Sequence, residues 1–440
     1  MTDTKPWQRK GRAPLCLMRR GGEIGVLLGR HTARFALRWA GYRLSRNGPA
    51  ASRLAGQSLT ELTEALGAAF IKVGQILSSR PDLLPPGIVT SLARLQDQVE
   101  PFDPELVPGL LEHALGRPME EVFDSFEPVP FASASIATVH RARLGSGQRV
   151  AVKIRRPGVC EIVHRDLLLM RVLARAASRL PRLRLMPLEG LVDEFGRALL
   201  EQLDFALEAA NLRRFRQNLA GLERVRVPRP IEHLCTDSVL TMEYLEDLVG
   251  VQAVDFPAEE RRQAAILGLR ALYHMVFIDG LVHGDLHPGN IFFRRGAEVV
   301  LLDMGMVARL DAVDQNTFIQ FFYAMATNDG QKCARILTDT AMQRSPSFDP
   351  DAFTQAISAL VSEYSAKNAR EFEVASFAYR LFDLQRRFGL CGSTNFTMTI
   401  ISFVVFQGIV KQLHPDLDFQ SEARSFLLGL PAQTTHPSPR

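Results

Sequence analysis

The fold is decided between residues 281 and 306, where the sequence reads LVHGDLHPGNIFFRRGAEVVLLDMGM. Two short apolar runs, Ile291–Phe293 and Val299–Leu302, are separated by a polar turn, and this pattern predicts a β-hairpin. Asn290 comes immediately before the first run, and Asp303 comes immediately after the second. The predicted hairpin therefore carries both of these polar side chains.

The spacing of the polar residues in this stretch indicates phosphoryl transfer. Asp285 precedes Asn290 by five positions and Asp303 by eighteen, which is the spacing of a kinase catalytic loop followed by a DFG-type turn. Phosphoryl transfer needs a divalent metal held by hard oxygen ligands, here Asn290 and Asp303. A further carboxylate, Asp285, orients or deprotonates the attacking hydroxyl. The alternative is a turn cluster without chemistry, and the ordered spacing of these residues counts against it.

Length and composition predict a mostly helical protein of two or three domains. The chain has 440 residues, of which 46% are hydrophobic, and its mean hydropathy is zero. The five cysteines are scattered without a CxxC pair, which indicates a reducing compartment and argues against a structural zinc site. No run of about twenty uninterrupted apolar residues is present. The most apolar stretch, Phe396–Val410, is short and interrupted by polar residues, which predicts a buried helix.

Positive charge is concentrated at the N-terminus. Residues 1–46 hold eleven Lys and Arg against two acids, a local charge of +9, so the remainder carries −5. Within Glu23–Leu44, Arg30, Arg34 and Arg38 form a stripe beside an apolar, aromatic face. This pattern is typical of a helix on an anionic membrane surface. One alternative is a helix that is docked on its own protein and has solvated arginines. Another alternative is an organellar transit segment. No secretory signal is present.

A second helix is predicted from Ser58 to the residue before Pro81. Ser58 and Glu61 form a capping box that marks its start. Its predicted buried face consists of Leu59, Leu62, Leu66, Phe70, Val73 and Leu77. Lys72 and Gln75 project from the other side, and periodicity alone assigns them no role.

A strand pair with an internal lysine follows. Residues 131–140 lead into a strand that ends at Leu144, and Arg149–Ile154 returns after a glycine turn. Lys153 alternates with valines, and a buried ammonium needs a partner; in kinases such a lysine binds the α- and β-phosphates and pairs with a helix glutamate. Small residues precede the hairpin, and their backbone amides can approach phosphates closely. This alanine-rich loop consists of Ala132, Ser133, Ala134, Ser135, Ile136 and Ala137.

The glutamate partner of the lysine is expected on a helix at Leu191–Leu219. Glu201, Asp204 and Glu208 are spaced three and four residues apart and would share one face of this helix. That face either meets Lys153 or is solvated and balanced by neighbouring arginines. The strand Ser238–Leu245 then leads into a linker.

Adenine would bond to backbone atoms near Glu243 and Leu245 of that linker. After the metal-binding turn, only about ten residues precede a predicted helix at about Asp314, and no Ala-Pro-Glu motif follows. Gly284 also replaces the arginine of the His-Arg-Asp form. Both features argue against an ordinary kinase that acts on protein substrates.

Together these motifs resemble the UbiB/AarF family of atypical, protein kinase-like proteins linked to coenzyme Q biosynthesis. The resemblance extends from about residue 60 to about residue 410. Its signature comprises Lys72-Val73-Gly74-Gln75 (the KxGQ motif), Leu77–Pro85, Leu95–Val99, the alanine-rich loop, Val150–Lys153, Leu203–Phe205, Glu208–Asn211 and the catalytic stretch.

The resemblance implies an α+β, two-lobed protein kinase-like fold in which an N-terminal helical KxGQ extension packs over the active site. Lys72 and Gln75 would then be active-site residues, and Lys153 and Glu208 would form the ion pair. The implied cofactors are ATP or ADP and Mg²⁺, held by Asn290 and Asp303, with Asp285 as catalytic carboxylate.

The family resemblance also implies domains, partners and location. Lipid-soluble quinone intermediates or quinone-biosynthesis enzymes, and an anionic membrane surface, are the expected partners, with no nucleic acid. The expected location is cytoplasmic and peripheral to a bacterial-type inner membrane, or organellar. The expected domains are a basic segment with an amphipathic helix (1–48), the KxGQ extension (49–120), an N-lobe with the alanine-rich loop (121–245), a helical C-lobe (246–430) and a disordered tail (431–440).

Three departures from the family pattern are visible. Gln202 stands where the family has the first acid of Glu-x-Asp, and Thr138 stands where glutamine is common. The pair of C-terminal hydrophobic helices of many bacterial members is not expected here.

Two other functions compete with a quinone-pathway kinase or ATPase. One is a small-molecule phosphotransferase of the aminoglycoside or choline kinase type, and the other is a nucleotide-binding scaffold without catalysis.

Overall fold

The computed structural model describes residues 13–44, 51–78, 80–81, 83–95, 100–179, 188–365, 373–417, 422 and 425–426. The predicted disordered tail and most of the 95–99 motif lie outside these ranges. The chain divides into two compact units. The first comprises Met1–Arg80, Leu84–Phe205 and Thr236–Val239, and the second comprises Pro81–Leu83, Ala206–Cys235 and Leu240–Arg440.

The first unit combines helices with a mainly antiparallel sheet. Its helices are α1 (Ala13–Leu44), α2 (Ala51–Leu66), α3 (Ala68–Ser78), α4 (Pro86–Leu92), α5 (Val107–Leu115), α6 (Met119–Val122), α7 (Val159–Ala177) and α8 (Leu188–Gln202). Its strands are β1 (Phe123–Phe126), β2 (Ala132–Ser133), β3 (Ala137–Leu144) and β4 (Arg149–Arg155). The strand order is β1-β3-β4, with β2 paired to β3. Strand β6 (Val239–Glu243) begins at the last residue of this unit.

The hairpin predicted around Lys153 is confirmed. Strands β3 and β4 pair antiparallel, with Val139 opposite Lys153. The turn is closed by the Gly147 N–H, which donates to Leu144 O at 2.7 Å. Gly147 has a φ of 82°, a conformation that glycine adopts without steric cost.

The single helix predicted from Ser58 is wrong in its start and its continuity. Helix α2 begins at Ala51, so Ser58 lies inside it, and the helix ends before Gly67, whose φ is +97°. The chain then resumes as α3. Only Leu66 of the predicted buried face is buried, and the other five residues are half-buried.

Close packing of these helices depends on glycines. A Cβ on Gly56 would lie 2.6 Å from Gly87 O, and one on Gly87 would lie 2.9 Å from the backbone N of Arg53. Helices α2 and α4 therefore cross at backbone distance. The apolar periodicity did not reveal this contact because glycine carries no hydrophobic side chain.

Helix α1 begins at Ala13, ten residues before its predicted start, and packs on its own unit. Ile24 and His31 are buried. Arg20 donates two hydrogen bonds to the buried carboxylate of Asp166 on α7, at 2.9 and 3.0 Å, and this ion pair raises the pKa of Arg20. The Arg30, Arg34 and Arg38 stripe is exposed, as the docked-helix alternative predicts.

The continuous helix predicted from Leu191 to Leu219 is interrupted. Helix α8 ends at Gln202, and α9 (Phe205–Asn218) begins after a break at Leu203 and Asp204. Arg155 stabilises the break by donating to Leu203 O at 2.7 Å. The single acidic stripe is therefore wrong, because Glu201 precedes the break and Glu208 follows it.

The second unit is mainly helical. Its further strands are β5 (Val225–Arg226), β7 (Val249–Gly250), β8 (Leu281–His283), β9 (Ile291–Arg294), β10 (Glu298–Leu301), β11 (Val307–Arg309), β12 (Gln343–Arg344) and β13 (Leu390–Cys391). Its further helices are α10 (Ala258–His274), α11 (Ala312–Ala326), α12 (Gly330–Asp339), α13 (Pro350–Ser365), α14 (Val374–Arg387) and α15 (Thr394–Leu413). The predicted β9–β10 hairpin is confirmed within a sheet of order β5-β10-β9-β7, and β11 pairs with β8.

Helix α15 is longer than predicted and lies in the core of the second unit. It has 20 residues, and its most apolar 18-residue window has a mean hydropathy of 1.5, so it is the one helix of the described residues that is long and apolar enough to cross a membrane. However, 67% of that window is buried, and the Ser402 hydroxyl donates to His283 O at 3.0 Å. These contacts support its prediction as a buried helix.

Candidate active site

The predicted catalytic loop lies in the second unit and is organised by a buried histidine. His283 is fully buried, its Nδ1 accepts from the Asp285 N–H at 3.2 Å, and its Nε2–H donates to Leu302 O at 2.9 Å. Burial lowers the pKa of His283, and only the neutral ring can accept and donate in this way. The histidine therefore links the catalytic loop to the strand that precedes Asp303.

Asn290 is positioned by the same loop. Its side-chain Nδ2 donates to Asp285 O at 2.9 Å, and its backbone carbonyl accepts from the Leu302 N–H at 2.9 Å. Because the amide nitrogen is occupied, the amide oxygen is directed away from this contact. Asp285 itself is half-exposed, and its Oδ2 lies 3.6 Å from His287 Nε2.

The turn that contains Asp303 has an unusual backbone. Asp303 has a φ of 56°, in the left-handed region that non-glycine residues seldom occupy and that is concentrated at functional sites. Its Oδ1 accepts from the Gly305 N–H at 3.1 Å. A Cβ on Gly305 would lie 3.1 Å from that oxygen and 3.6 Å from Glu208 Oε2. The carboxylates of Asp303 and Glu208 therefore converge beside Gly305.

Burial separates Glu208 from the other two predicted acids. Glu208 is 2% exposed, whereas Glu201 and Asp204 are exposed. A buried carboxylate needs a compensating charge or hydrogen bonds, and this agrees with the assignment of Glu208 as the lysine partner. Lys153 belongs to the first unit, so their ion pair stays a prediction.

The donor set of the predicted metal site is chemically suitable for Mg²⁺. Asn290 offers an amide oxygen and Asp303 a carboxylate, and hard oxygen ligands are those that Mg²⁺ prefers, usually with nucleotide phosphates and water completing its shell. Among the described residues, no group of three or more His, Cys, Asp and Glu side chains could hold a metal ion. The residues present thus fit a metal that is bound together with a nucleotide.

In the first unit, the predicted phosphate-binding lysine lies inside the sheet. Lys153 is 8% exposed, and its Nζ lies 5.1 Å from the ring centroid of the buried Phe205. An ammonium over an aromatic face is stabilised by the ring quadrupole. This contact was not predicted from the sequence, since Phe205 is far from Lys153 along the chain.

The alanine-rich loop is anchored by Arg156, a residue that the sequence analysis missed. The Arg156 guanidinium donates to Ala134 O and Ser133 Oγ, both at 2.8 Å, and to Glu100 O at 2.7 Å. Its backbone N–H donates to Ile136 O at 2.9 Å. The available signal was a charged residue directly after the lysine strand, which also fits a solvated strand end.

The loop itself is partly strand. Ala132 and Ser133 form β2 and pair with β3, and the Ala134 N–H donates to Ala137 O at 2.8 Å. Ser135, Ile136 and Ala137 are buried, whereas Ala132 is exposed.

The KxGQ motif lies on α3. The Gln75 amide donates to Leu95 O at 3.3 Å, and Lys72 is half-buried. A Cβ on Gly74 would lie 2.5 Å from Leu95 Cδ1. Glycine in this motif therefore allows α3 to pack closely against the segment after α4, and the active-site roles of Lys72 and Gln75 stay predictions.

The predicted adenine linker follows β6. The Glu243 carboxylate accepts from Arg226 at 3.0 Å, and its backbone N–H donates to Arg229 O at 2.8 Å. These contacts make its side chain structural. The Leu245 N–H has no hydrogen-bond partner among the described residues, and its contact with adenine stays a prediction.

A family model described as the ABC1 atypical kinase-like domain matches residues 94–337, more than half of the chain. This chain belongs to the ABC1 family of atypical kinases. Proteins named "Probable protein kinase UbiB" are similar to it over most of its length. The one from Sodalis glossinidius is 34% identical over 403 residues, or 87% of this chain and 73% of the relative. The one from Pseudomonas entomophila is 35% identical over 383 residues, or 84% of this chain and 70% of the relative.

A solved structure has a similar fold. The complex of the Mycobacterium tuberculosis protein Rv3197 with erythromycin aligns with a TM-score of 0.57 and 23% identity, and it covers 85% of this chain and 95% of that chain. The α+β kinase-like fold with an N-terminal helical extension is thereby confirmed, as is the predicted UbiB-type family. Membership of this kinase-like transferase family is consistent with a role in ubiquinone biosynthesis.

One of the two residues that depart from the expected family pattern, Thr138, faces away from the lysine. Thr138 is next to Val139, the cross-strand partner of Lys153, so it points to the opposite sheet face. There the Thr138 hydroxyl lies 3.0 Å from Nε2 of the buried His140. Gln202 is the last residue of α8, directly before the helix break.

Gly284, which replaces the arginine of ordinary kinases, has a packing explanation. Its N–H donates to Met306 O at 2.9 Å. A Cβ at this position would contact Met398 on α15 and lie 3.2 Å from Met306 O. The ABC1 catalytic loop in this chain is therefore packed on a helix where an arginine side chain has no room.

Proposed function

We propose that this chain is an ATP-dependent, Mg²⁺-requiring kinase or ATPase that supports ubiquinone biosynthesis at a membrane surface. The observation that carries the enzymatic part is the connected frame of the second unit. There, the neutral ring of His283 links the loop of Asp285 to Leu302, the residue before Asp303. The Leu302 N–H also donates to the backbone carbonyl of Asn290, whose side-chain amide closes the loop on Asp285 O. A turn cluster without chemistry does not require such a buried connection.

In this proposal each residue has a stated task. Asp285, half-exposed at the loop, orients the attacking hydroxyl or water and accepts its proton. Asn290 and Asp303 would hold Mg²⁺, which supplies neutralisation of phosphate charge when bound. Lys153 binds the α- and β-phosphates, and the backbone amides of the alanine-rich loop cover them.

Turnover of ATP by purified variants tests the catalytic assignment. Asp285→Asn removes the proton acceptor and Lys153→Ala removes the phosphate contact, so we expect each to abolish hydrolysis. Asp255→Asn is the matched control, because Asp255 is exposed and has no partner among the described residues. Hydrolysis retained in both active-site variants, with unchanged melting temperatures, would refute the assignment.

The pathway assignment is supported by the UbiB names of the relatives. We propose lipid-soluble quinone intermediates or quinone-biosynthesis enzymes as partners. A deletion strain should accumulate quinone precursors, and the wild-type chain should restore ubiquinone while Asp285→Asn should not. Normal ubiquinone in the deletion strain would exclude this role.

Membrane contact is proposed through charge rather than through apolar insertion. Half-buried Phe35 and Trp39 contact each other at 5.8 Å between ring centroids on the inward side of α1, and Arg38 is paired with Glu61 at 2.8 Å. Arg30 and Arg34 are exposed, and each contributes about 1 kcal/mol near anionic lipid. We therefore expect flotation with anionic liposomes that weakens with salt. Flotation that persists in high salt, or in an Arg30→Gln/Arg34→Gln variant, would contradict this proposal.

A further inference from the structure

The helix that carries Glu208 also contacts the metal-binding turn through an asparagine. Asn211 lies three residues after Glu208 on α9, so both side chains share a face. Its Nδ2 donates to Met304 O at 2.9 Å, and both residues are buried, with Asn211 3% exposed and Met304 0%. Met304 is the central residue of the Asp303-Met304-Gly305 turn.

The orientation of this amide is determined by Arg309. The Arg309 Nη2 donates to Asn211 Oδ1 at 2.8 Å. Because a guanidinium has donors only, a flipped amide would place its NH₂ group against another donor. The Asn211 Nδ2 must therefore face the Met304 carbonyl.

Arg309 is itself held by the fold of the second unit. It lies on β11, opposite Leu281 of β8. Its carbonyl accepts from Asn395 Nδ2, at the start of α15, at 2.9 Å. The contact with the turn thus rests on regular secondary structure.

The turn needs such a contact because its backbone is strained. Asp303 has a left-handed φ of 56°, which is disfavoured for residues with a Cβ and persists only where the surroundings impose it. The bond from Gly305 N–H to Asp303 Oδ1 is local to the turn. The Asn211 bond instead joins the turn to another element.

We propose that Asn211 and Arg309 are positioning residues that hold Asp303 in its metal-binding conformation and couple it to the helix of Glu208. Neither residue is a predicted ligand of the metal or the nucleotide. Loss of the Asn211 amide donor frees the Met304 carbonyl and lets Asp303 relax out of the left-handed region. This inference rests on the proposed function as far as the metal is concerned.

The test uses Asn211→Asp, which keeps the side-chain size and the acceptor for Arg309 but replaces the amide donor by an oxygen. Gln217→Ala, at an exposed position of the same helix, is the control. Two quantities are measured in the full chain: amide hydrogen exchange of residues 303–306 without metal, and the MgCl₂ concentration that half-saturates the ADP-induced rise in melting temperature.

We expect faster exchange in the turn and an increase of about tenfold in the half-saturating MgCl₂ for Asn211→Asp, with neither change in Gln217→Ala. ADP affinity in the absence of metal should stay at the wild-type value, which a general loss of structure would not allow. Should Asn211→Asp fail to fold, Arg309→Lys serves instead. It keeps the charge but not the fork geometry that orients the amide, and we expect the same two changes in smaller measure.

The outcomes separate the two proposals. Wild-type protein that shows no Mg²⁺-dependent ADP binding refutes the proposed function, while the exchange measurement still decides whether Asn211 restrains the turn. The positioning role is overturned if the wild-type protein binds Mg²⁺ and ADP but the variants behave like Gln217→Ala. In that case their amide exchange rates and half-saturating MgCl₂ concentrations equal those of the control.

Discussion

Replacing Arg156 by lysine should weaken nucleotide binding without touching the nucleotide-contacting residues. The Arg156 guanidinium connects three acceptors, Ser133 Oγ, Ala134 O and Glu100 O, at 2.7 to 2.8 Å. A lysine ammonium at this half-buried position can keep one of the three bonds. Two bonds are then lost, each with a net contribution of about 1 kcal/mol, for about 2 kcal/mol in total.

This free energy sets the expected effect on affinity. About 2 kcal/mol corresponds to a factor of roughly 30 in the population of the ordered loop. The apparent affinity falls with the fraction of molecules whose loop is ordered, so roughly 30-fold is the ceiling, and we expect weakening of about tenfold. The reason is physical: a loop built from backbone amides binds phosphate only while its amides are held in place.

Isothermal titration with MgADP measures the affinity, and hydrogen exchange of residues 132–137 reports the order of the loop. Arg143→Lys is the matched control, because Arg143 is exposed on the same sheet and its side chain has no partner among the described residues. Arg156→Lys protein with the affinity and the exchange rates of Arg143→Lys would refute the reasoning.

Three further predictions concern stability and reactivity. Gly284→Arg, which restores the His-Arg-Asp form, should destabilise the protein by about 1 to 3 kcal/mol through overpacking against Met306 and Met398; urea unfolding at least as resistant as wild type would contradict this. Burial keeps the pKa of His283 below its ordinary value, so only the unfolded chain gains this proton as the pH falls below about 6.5. The free energy of unfolding should therefore decrease from pH 7 to pH 5.5, and it should decrease less in His283→Gln. An increase over this range would contradict the prediction. Burial raises the pKa of Cys235 to about 11 and that of Cys333 to about 12, so iodoacetamide should alkylate both thiols slowly in the native protein at pH 8. Mass spectrometry follows the labelling, and rapid labelling of both cysteines would contradict this prediction.

Local pattern was sufficient where a motif and its structure lie in the same short stretch. The hairpins around Lys153 and after Asn290 were predicted within a residue or two of their observed bounds, because strand alternation and turn residues are read directly from neighbouring positions. The kinase-like fold was implied by the family resemblance that these and the other short motifs carry. These features need no knowledge of distant contacts.

Helix continuity was not readable in the same way. The breaks at Gly67 and at Leu203 end helices whose apolar periodicity continues beyond them. One residue with positive φ is enough for the first break, and a distant arginine stabilises the second. Sequence periodicity averages over several turns, so a single departure of this kind leaves little trace in it.

The sequence by itself therefore determined the fold class, the two hairpins and the residue types of the candidate site. Only the tertiary structure decided that Glu208 rather than Glu201 is buried and that the helix predicted from Leu191 to Leu219 is broken at Leu203. It also showed that Arg156 bonds to the alanine-rich loop and that Asn211 bonds to the Met304 carbonyl. The physical reason is that burial and hydrogen-bond partners depend on residues far away along the chain, as for Asn211 and Met304, which are 93 positions apart. Secondary structure, in contrast, is encoded mainly by the nearest neighbours along the chain.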